Sequence, residues 1–239
     1  MARALSKLGY CSRSQAGEII GAGRVAVNGT VRRDPEMPVL LGHDRVEVDG
    51  SPAASAAKAY LMLNKPRGVV TTASDEKGRD TVYAHLPEDR GWLAPVGRLD
   101  KASEGLLLLT NDSEWAARVT APSTHLEKTY HVQVATVADD ALLRALRKGV
   151  RSEGDFLRVK SVRIRRGGGK NTWLEIVLDE GKNRHIRRML AAFEIEVLRL
   201  VRVAIGPLAL GELGKGASRL LTPGEKNALD RAMEKVRRS

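Results

Sequence analysis

Apolar residues along this chain recur with two periods, and each period predicts one type of element. Alternation or short apolar runs mark strands at Tyr60 to Leu63, Gly68 to Thr72, Leu106 to Thr110, Thr129 to Val134, Val159 to Ile164, Trp173 to Leu178 and Val197 to Ile205. Three- and four-residue spacing marks helices between them, at Ser113 to Val119, Ala138 to Lys148 and Lys182 to Phe193. Successive strands often stand too close for a helical crossover, so most must pair antiparallel. The expected fold is α+β, a mainly antiparallel, mixed sheet with flanking helices.

Residues 1 to 50 follow a different plan. Leu5 and Leu8 share a short helix that Gly9 ends, and Ser12 with Gln15 has capping-box spacing for a second helix ending near Ile20. Arg24 to Val27 alternates as a strand, Asn28-Gly29 supplies a tight turn, and Val46-Glu47-Val48 with Asp49-Gly50 forms another strand and turn. The stretch SPAASAAKA, residues 51 to 59, has no large apolar side chain and reads as a linker. The chain thus divides into a small αβ unit at 1–50, a linker at 51–59 and a larger unit at 60–239.

Charge narrows the choice of partner. Forty basic residues against 29 acidic ones give a formal charge of +11 and a pI near 10.0, which favours a polyanion through phosphate neutralisation and counterion release. The surplus is clustered: residues 1 to 33 carry Arg3, Lys7, Arg13, Arg24, Arg32 and Arg33 against the single acid Glu18. Residues 158 to 170 carry Arg158, Lys160, Arg163, Arg165, Arg166 and Lys170 with no acid at all, a pattern suited to phosphates. The run Gly167-Gly168-Gly169-Lys170 lacks the spacing of a nucleotide loop and reads as a hairpin turn. No apolar run approaches the roughly 18 residues of a membrane span, and the N-terminus lacks a signal-peptide core. Cys11 stands alone and the five histidines are scattered, so neither a disulfide framework nor a metal site is expected. A soluble, cytoplasmic monomer without metal or cofactor is the expectation.

Three segments could carry chemistry. In PVGRLDKASEGLLLLTND, residues 95 to 112, Arg98 and Asp100 lie in a polar turn just before the apolar run Leu106 to Leu109. A carboxylate there is held at the mouth of a rigid strand, although an aspartate capping a turn would look the same. In EGKNRHIRRML, residues 180 to 190, Ile186, Met189, Leu190 and Phe193 bury one helical stripe flanked by Arg184, Arg187 and Arg188. Arg187 could pair with Asp100 and keep it ionised if the carboxylate is buried, or the three arginines could be a solvated face. In EKTYHVQV, residues 127 to 134, Tyr130 shares a strand face with Val132 and Val134, as plain core or as a stacking platform.

GRLD followed by SEGLLLLTND, then EKTY, then EGKNRHIRRM, resembles in order and spacing the pseudouridine synthases of the RsuA and RluB type. YLMLNKPRGVVTT at residues 60 to 72 and GASRLLTPGE at 216 to 225 extend the resemblance over nearly the whole chain. GRVAVNG and VEVDG, closing the first fifty residues, resemble the small RNA-binding domain named after a small-subunit ribosomal protein, which precedes the catalytic domain in that family. The resemblance implies that Asp100 is the catalytic aspartate, that Arg98 fills the gap left in the RNA stack, and that Tyr130 packs against the flipped base. It further implies that Arg187 is the basic residue paired with the aspartate and that Ile186 lines the pocket. Arg184 and the N-terminal Arg3, Lys7, Arg13 and Arg24 are expected to hold RNA.

The implied reaction breaks the bond from ribose to ring nitrogen and remakes it to carbon 5 of the same uracil, with no net redox change and no cofactor. The expected partner is ribosomal RNA or a ribosomal subunit precursor. VADD after EKTY looks more like the small-subunit enzyme and NRHIRRM more like the large-subunit enzymes, and the balance leans to 23S RNA. A base deaminase would want a CxxC pair, which one cysteine excludes, and a methyl transferase would show a Gly-rich loop after an N-terminal strand. The remaining alternative is a non-catalytic assembly factor of the same architecture, whose mark would be a replaced aspartate.

Overall fold

The computed structural model describes residues 1–53, 56–72, 78–88 and 91–235. In the small unit, helices α1 (Ala2–Lys7) and α2 (Arg13–Gly21) share a core with a four-stranded sheet of order β2-β1-β3-β4. Its strands are β1 (Val25–Val27), β2 (Thr30–Val31), β3 (Val46–Val48) and β4 (Ser51–Pro52). Ser12 and Gln15 form the reciprocal capping box that their spacing predicts, an arrangement contributing about 1 kcal/mol. Asn28 and Gly29 both take positive φ, 52° and 78°, so the β1–β2 hairpin turns where the Asn-Gly pair allows it. Leu5, Ile20 and Val25, none exposed, centre the core.

The larger unit contains β5 (Tyr60–Lys65), β6 (Ala94–Val96), β7 (Glu104–Thr110), α3 (Ser113–Thr120), β8 (Lys128–Val134), α4 (Asp140–Lys148), β9 (Val150–Ser152), β10 (Asp155–Leu157), β11 (Ser161–Gly167), β12 (Thr172–Leu178), α5 (His185–Ala191), β13 (Val197–Ile205), β14 (Leu208–Ala209), β15 (Ser218–Leu220) and α6 (Pro223–Lys235). The main sheet runs β11-β12-β8-β13-β7-β5-β15, with β6 beside β7 and β14 beside β13. Its neighbours pair antiparallel except β13 and β7, which run parallel over Val201 against Glu104 and Arg202 against Gly105. The mixed α+β architecture therefore agrees with the periodicity of the sequence. Gly105 sits where the parallel strands touch: its φ is 101°, and a Cβ there would overlap the Arg202 carbonyl. Arg202, 6% exposed, donates from Nε to Leu106 O at 2.7 Å, tying β13 to β7 beside this short pairing.

The two halves of the sheet are covered differently. β5 and β7 are wrapped on both sides, Leu61, Leu63, Leu107 and Leu109 packing with Val69, Val82, Leu93 and Leu99, and Met62, Leu106 and Leu108 packing with Trp115, Leu229 and Met233. Across β8, β12 and β13, one face packs Val132, Val134, Leu174, Ile176 and Leu200 with Leu143 and Leu146 of α4 and Ile186, Met189 and Leu190 of α5. The opposite face of β12 is only half-buried.

Two sequence expectations need correction. Gly68 to Thr72 is not a strand: Val70 makes a single parallel bridge to Thr81, and the segment otherwise bonds to the loop before β7. The helix expected from Lys182 starts at His185, because Arg184 adopts a left-handed φ of 48°. The stretch read as a linker is tied down where it is described, with Asn111 donating to Ala57 O at 2.8 Å and accepting from Ala59 N at 2.9 Å; Ala54 and Ser55 lie outside the described residues. The sequence reading also missed α6, which buries Leu229 and Met233, and the short β9–β10 hairpin.

Candidate active site

Asp100 lies in the loop entering β7, and that loop is fastened by its backbone. Ser103 N donates to Asp100 O at 2.9 Å, closing a turn, while Leu99, 6% exposed, anchors the preceding residue in the core. The residue sequence reasoning missed is Lys65. Period-two alternation puts it on the face of Leu61 and Leu63, so a lysine there points inward, and it is 0% exposed. Its Nζ donates to Ser103 O at 2.8 Å, Pro66 O at 3.1 Å and Asp100 O at 3.2 Å. Burial lowers its pKa to about 8, against the opposing pull of the Asp100 and Glu104 carboxylates. Gly68 N to Lys101 O at 2.8 Å and Thr71 Oγ1 to Leu99 O at 2.8 Å complete the fastening.

The Asp100 side chain itself is left accessible, at 33% exposure, so the premise of deep burial does not hold. Among the described residues, its partner at ion-pair distance is Arg184, 3.6 Å from Nη1 to Oδ2, and not Arg187. The physical reason lies in the start of α5. The left-handed Arg184 swings its half-exposed guanidinium out to the carboxylate, whereas Arg187, a helical turn inside, is drawn to backbone oxygens. Arg187 donates from Nη2 to Ala102 O at 3.0 Å, two residues beyond Asp100, and from Nη1 to Val197 O at 3.4 Å. Burial and then the neighbouring Arg184 charge lower the Arg187 pKa, while Asp100 pulls the other way, so these groups share one electrostatic environment.

The magnitudes separate the two kinds of support. An ion pair as exposed as Arg184–Asp100 contributes about 1 kcal/mol or less. Each charge-assisted hydrogen bond to a buried partner contributes about 1.5–3 kcal/mol, and Lys65 makes three. The loop is therefore positioned mainly by Lys65 from beneath, with Arg187 holding Ala102 O, and Arg184 faces the carboxylate itself.

Tyr130 is half-buried where the core under α4 and α5 meets the core under the 66–99 segment, and its hydroxyl has no hydrogen-bond partner among the described residues. Arg98 is exposed beside Asp100. Ile186, 3% exposed, packs within the α5 core. In the small unit, Arg3 and Arg13 are exposed and without ion pairs among the described residues. Lys7 pairs with Glu114 of α3 at 2.7 Å, and Arg24 grips Asp49 through two bonds of 2.9 and 2.6 Å. These two are thus partly committed to holding the fold. The basic stretch forms the exposed edge strand β11 and its approach, and Gly168 N to Asn171 O at 2.9 Å closes the expected hairpin turn. A separate cleft, lined by Arg147, Arg158, Val159, Lys160 and Asp179, opens near its start with no residue from the Asp100 loop.

Residues 59–192 match the family described as RNA pseudouridylate synthase, and residues 2–46 match the S4 domain. An uncharacterized RNA pseudouridine synthase of Aquifex aeolicus is 41% identical over 96% of this chain and 92% of its own length. Ribosomal large subunit pseudouridine synthase B of Bacillus subtilis is 37% identical over 95% of this chain and 93% of its own. A crystal structure of a pseudouridylate synthase is similar over 95% of this chain and 98% of that one, with a TM-score of 0.68 at 29% identity.

Proposed function

This chain belongs to the RNA pseudouridylate synthase family, and from that premise we propose that it isomerises one uridine of ribosomal RNA to pseudouridine with Asp100 as the catalytic carboxylate. The observation that carries the reading is the Asp100 loop: its backbone is fixed by Lys65, Thr71 and Gly68, while its carboxylate stays accessible beside the Arg184 guanidinium. Such an arrangement holds reactive geometry without blocking the substrate.

The target base must leave its helix before any side chain can reach it, at a cost of a few kcal/mol. Exposed Arg98 fills the vacated position in the stack. Tyr130, with its ring between two cores, receives the flipped uracil, and such stacking returns about 1–3 kcal/mol. Ile186 closes the apolar floor behind the ring. Asp100 acts as an anion: it attacks the ribose, adds to the base ring, or removes a proton from the sugar beside the breaking bond. The Arg184 guanidinium, 3.6 Å from the carboxylate, orients it in all three cases. The ring then rotates and bonds through carbon 5, whose hydrogen leaves as a proton while the freed ring nitrogen takes one up, so atoms balance without a cofactor.

The small unit through β4 serves as the RNA-binding unit, the rest of the 51–59 stretch as the connector and 60–239 as the catalytic unit, with Arg3 and Arg13 on phosphates and Lys7 and Arg24 in support. The 23S molecule is the favoured substrate, supported by relatives named for the large subunit at 37% identity. Unmodified transcripts of both ribosomal RNAs, incubated with the protein and mapped by chemical labelling and primer extension, test this. A new stop in the 23S transcript alone is expected. A stop only in the 16S transcript overturns the substrate, and absence of any stop on naked RNA and on partly assembled subunits overturns the activity.

A further inference from the structure

The half of the main sheet that carries no helix on one side among the described residues has an unusual surface. Alternation along β12 buries Thr172, Leu174, Ile176 and Leu178 and leaves Trp173, Glu175 and Val177 half-exposed on the other face. Cross-strand register adds His131 and Gln133 from β8 opposite Glu175 and Trp173, and Val201 and Arg199 from β13 opposite His131 and Gln133. Trp173 has the Arg199 guanidinium 6.0 Å from its ring centre, and its indole N–H has no acceptor among the described residues. A solvated face does not need a tryptophan at its middle.

The charges on this face are unequal. Glu175 faces Arg163 at 2.7 Å and His131 at 3.5 Å, and Arg165 lies against the His131 ring. Glu104, 3% exposed, is met by two cations, Arg199 at 2.8 Å and Lys215 at 3.0 Å. Both acids are already neutralised, which leaves a cationic surplus around an aromatic plane. The exposed arginines of β11, including Arg166 in register with Trp173, extend that surplus to the sheet edge. Lys65 and the Asp100 loop lie on the other side of the sheet, because Lys65 shares the face of Leu61 and Leu63 while Glu104 shares the face of Leu106 and Leu108.

We propose that the open face of β11, β12, β8 and β13 is a second RNA-binding surface, on which a single-stranded segment of the substrate RNA stacks one base on Trp173 and sets its phosphates on Arg163, Arg165, Arg166 and Arg199. This inference rests on the reading that the chain acts on RNA. An antiparallel sheet presenting an aromatic between cations can stack bases without reading their sequence, and counterion release supplies the rest of the affinity.

Titration of the full-length protein with single-stranded oligoadenylate, following tryptophan emission and anisotropy of a labelled oligonucleotide, tests it. Trp115 is 3% exposed and Trp92 is half-buried, so the part of the quenching assigned to a base stacked on Trp173 is the part that Trp173→Leu removes. The expected result is quenching in the wild type that is largely lost in Trp173→Leu, with affinity about tenfold to hundredfold weaker. Arg165→Gln, on the exposed edge where the core is not disturbed, should weaken binding and flatten its salt dependence. Equal affinity in all three proteins, or quenching unchanged in Trp173→Leu, overturns the proposal. Pseudouridine formation, measured on the same wild-type sample, separates the two readings. Product with unaltered Trp173→Leu binding sinks this surface alone, and binding that depends on Trp173 without product sinks the activity alone.

Discussion

The strands on either side of the β13–β7 junction differ in what they are free to do. β7 is buried at all seven positions, because two cores enclose it, and the Asp100 loop is built onto its entrance. β12 alternates between buried and half-buried, and the face it leaves open carries side chains that no core constrains. The proposed catalytic geometry would thus belong to the doubly wrapped half, where a displacement of the backbone meets close packing on every side. The open half can vary its surface without moving Asp100, which suits contacts that add affinity rather than chemistry.

Glycine substitutions should break this contrast most sharply. Gly105→Ala puts a Cβ into the Arg202 carbonyl at a φ of 101°, and should cost about 4 kcal/mol or more in denaturant unfolding. Gly167→Ala, in the edge strand β11 with open space around its Cβ, should change stability by less than about 1 kcal/mol. Similar costs at the two positions would remove the distinction.

Beneath the loop, Lys65→Met keeps the length of the side chain and removes three hydrogen bonds to carbonyls. Turnover should fall about 100-fold, equivalent to roughly 2.7 kcal/mol of lost positioning, while RNA affinity in a filter-binding assay stays unchanged. Arg187→Ala, which frees Ala102 O, should lower kcat by about 30-fold, and Arg184→Ala, an exposed partner, by less than about tenfold. The reverse order would show that the charge on Asp100, rather than the loop backbone, limits the rate.

A smaller effect follows from titration of Lys65. Its folded pKa of about 8 lies below its ordinary value of 10.5, so between these limits the unfolded chain binds a proton that the folded chain has released. The stability contribution of this group therefore rises with pH from about 8 to about 10.5. Activity should move the opposite way, falling above about pH 8 as the ammonium loses a donor to the loop. Thermal melts and kcat profiles of wild type and Lys65→Met check both slopes, which should be absent in the variant.

Much of this was legible in the sequence because it is local. The Ser12–Gln15 cap, the Asn28-Gly29 turn, the limits of β13 and the alternation of Tyr130 with Val132 and Val134 all follow from residues a few positions apart. Asp100 was visible as a carboxylate before a core strand, but its partner was not. Which arginine reaches it depends on the left-handed turn at Arg184, and Asn, Asp or Gly would have signalled that turn better than arginine does. Lys65 escaped notice because a lone lysine ending an apolar strand usually reads as a solvated end. Its clue was inward register with Leu61 and Leu63, meaningful only once the loop carbonyls stand above it. Helix α6 carries a capping signal in Thr222 and Glu225, confirmed by bonds of 2.8 and 3.2 Å, but only Leu229 and Met233 on its core side, too few to stand out.

The proposed function turns on whether the Asp100 carboxylate performs the isomerisation. Ribosomal RNA labelled with tritium at carbon 5 of uridine releases that label when carbon 5 bonds to ribose, so release in the wild type and in Asp100→Asn can be compared at saturating enzyme. Stoichiometric release is expected from the wild type, and from Asp100→Asn a rate at least about 10⁴-fold lower, with RNA binding retained. Release from Asp100→Asn within tenfold of the wild type would contradict it.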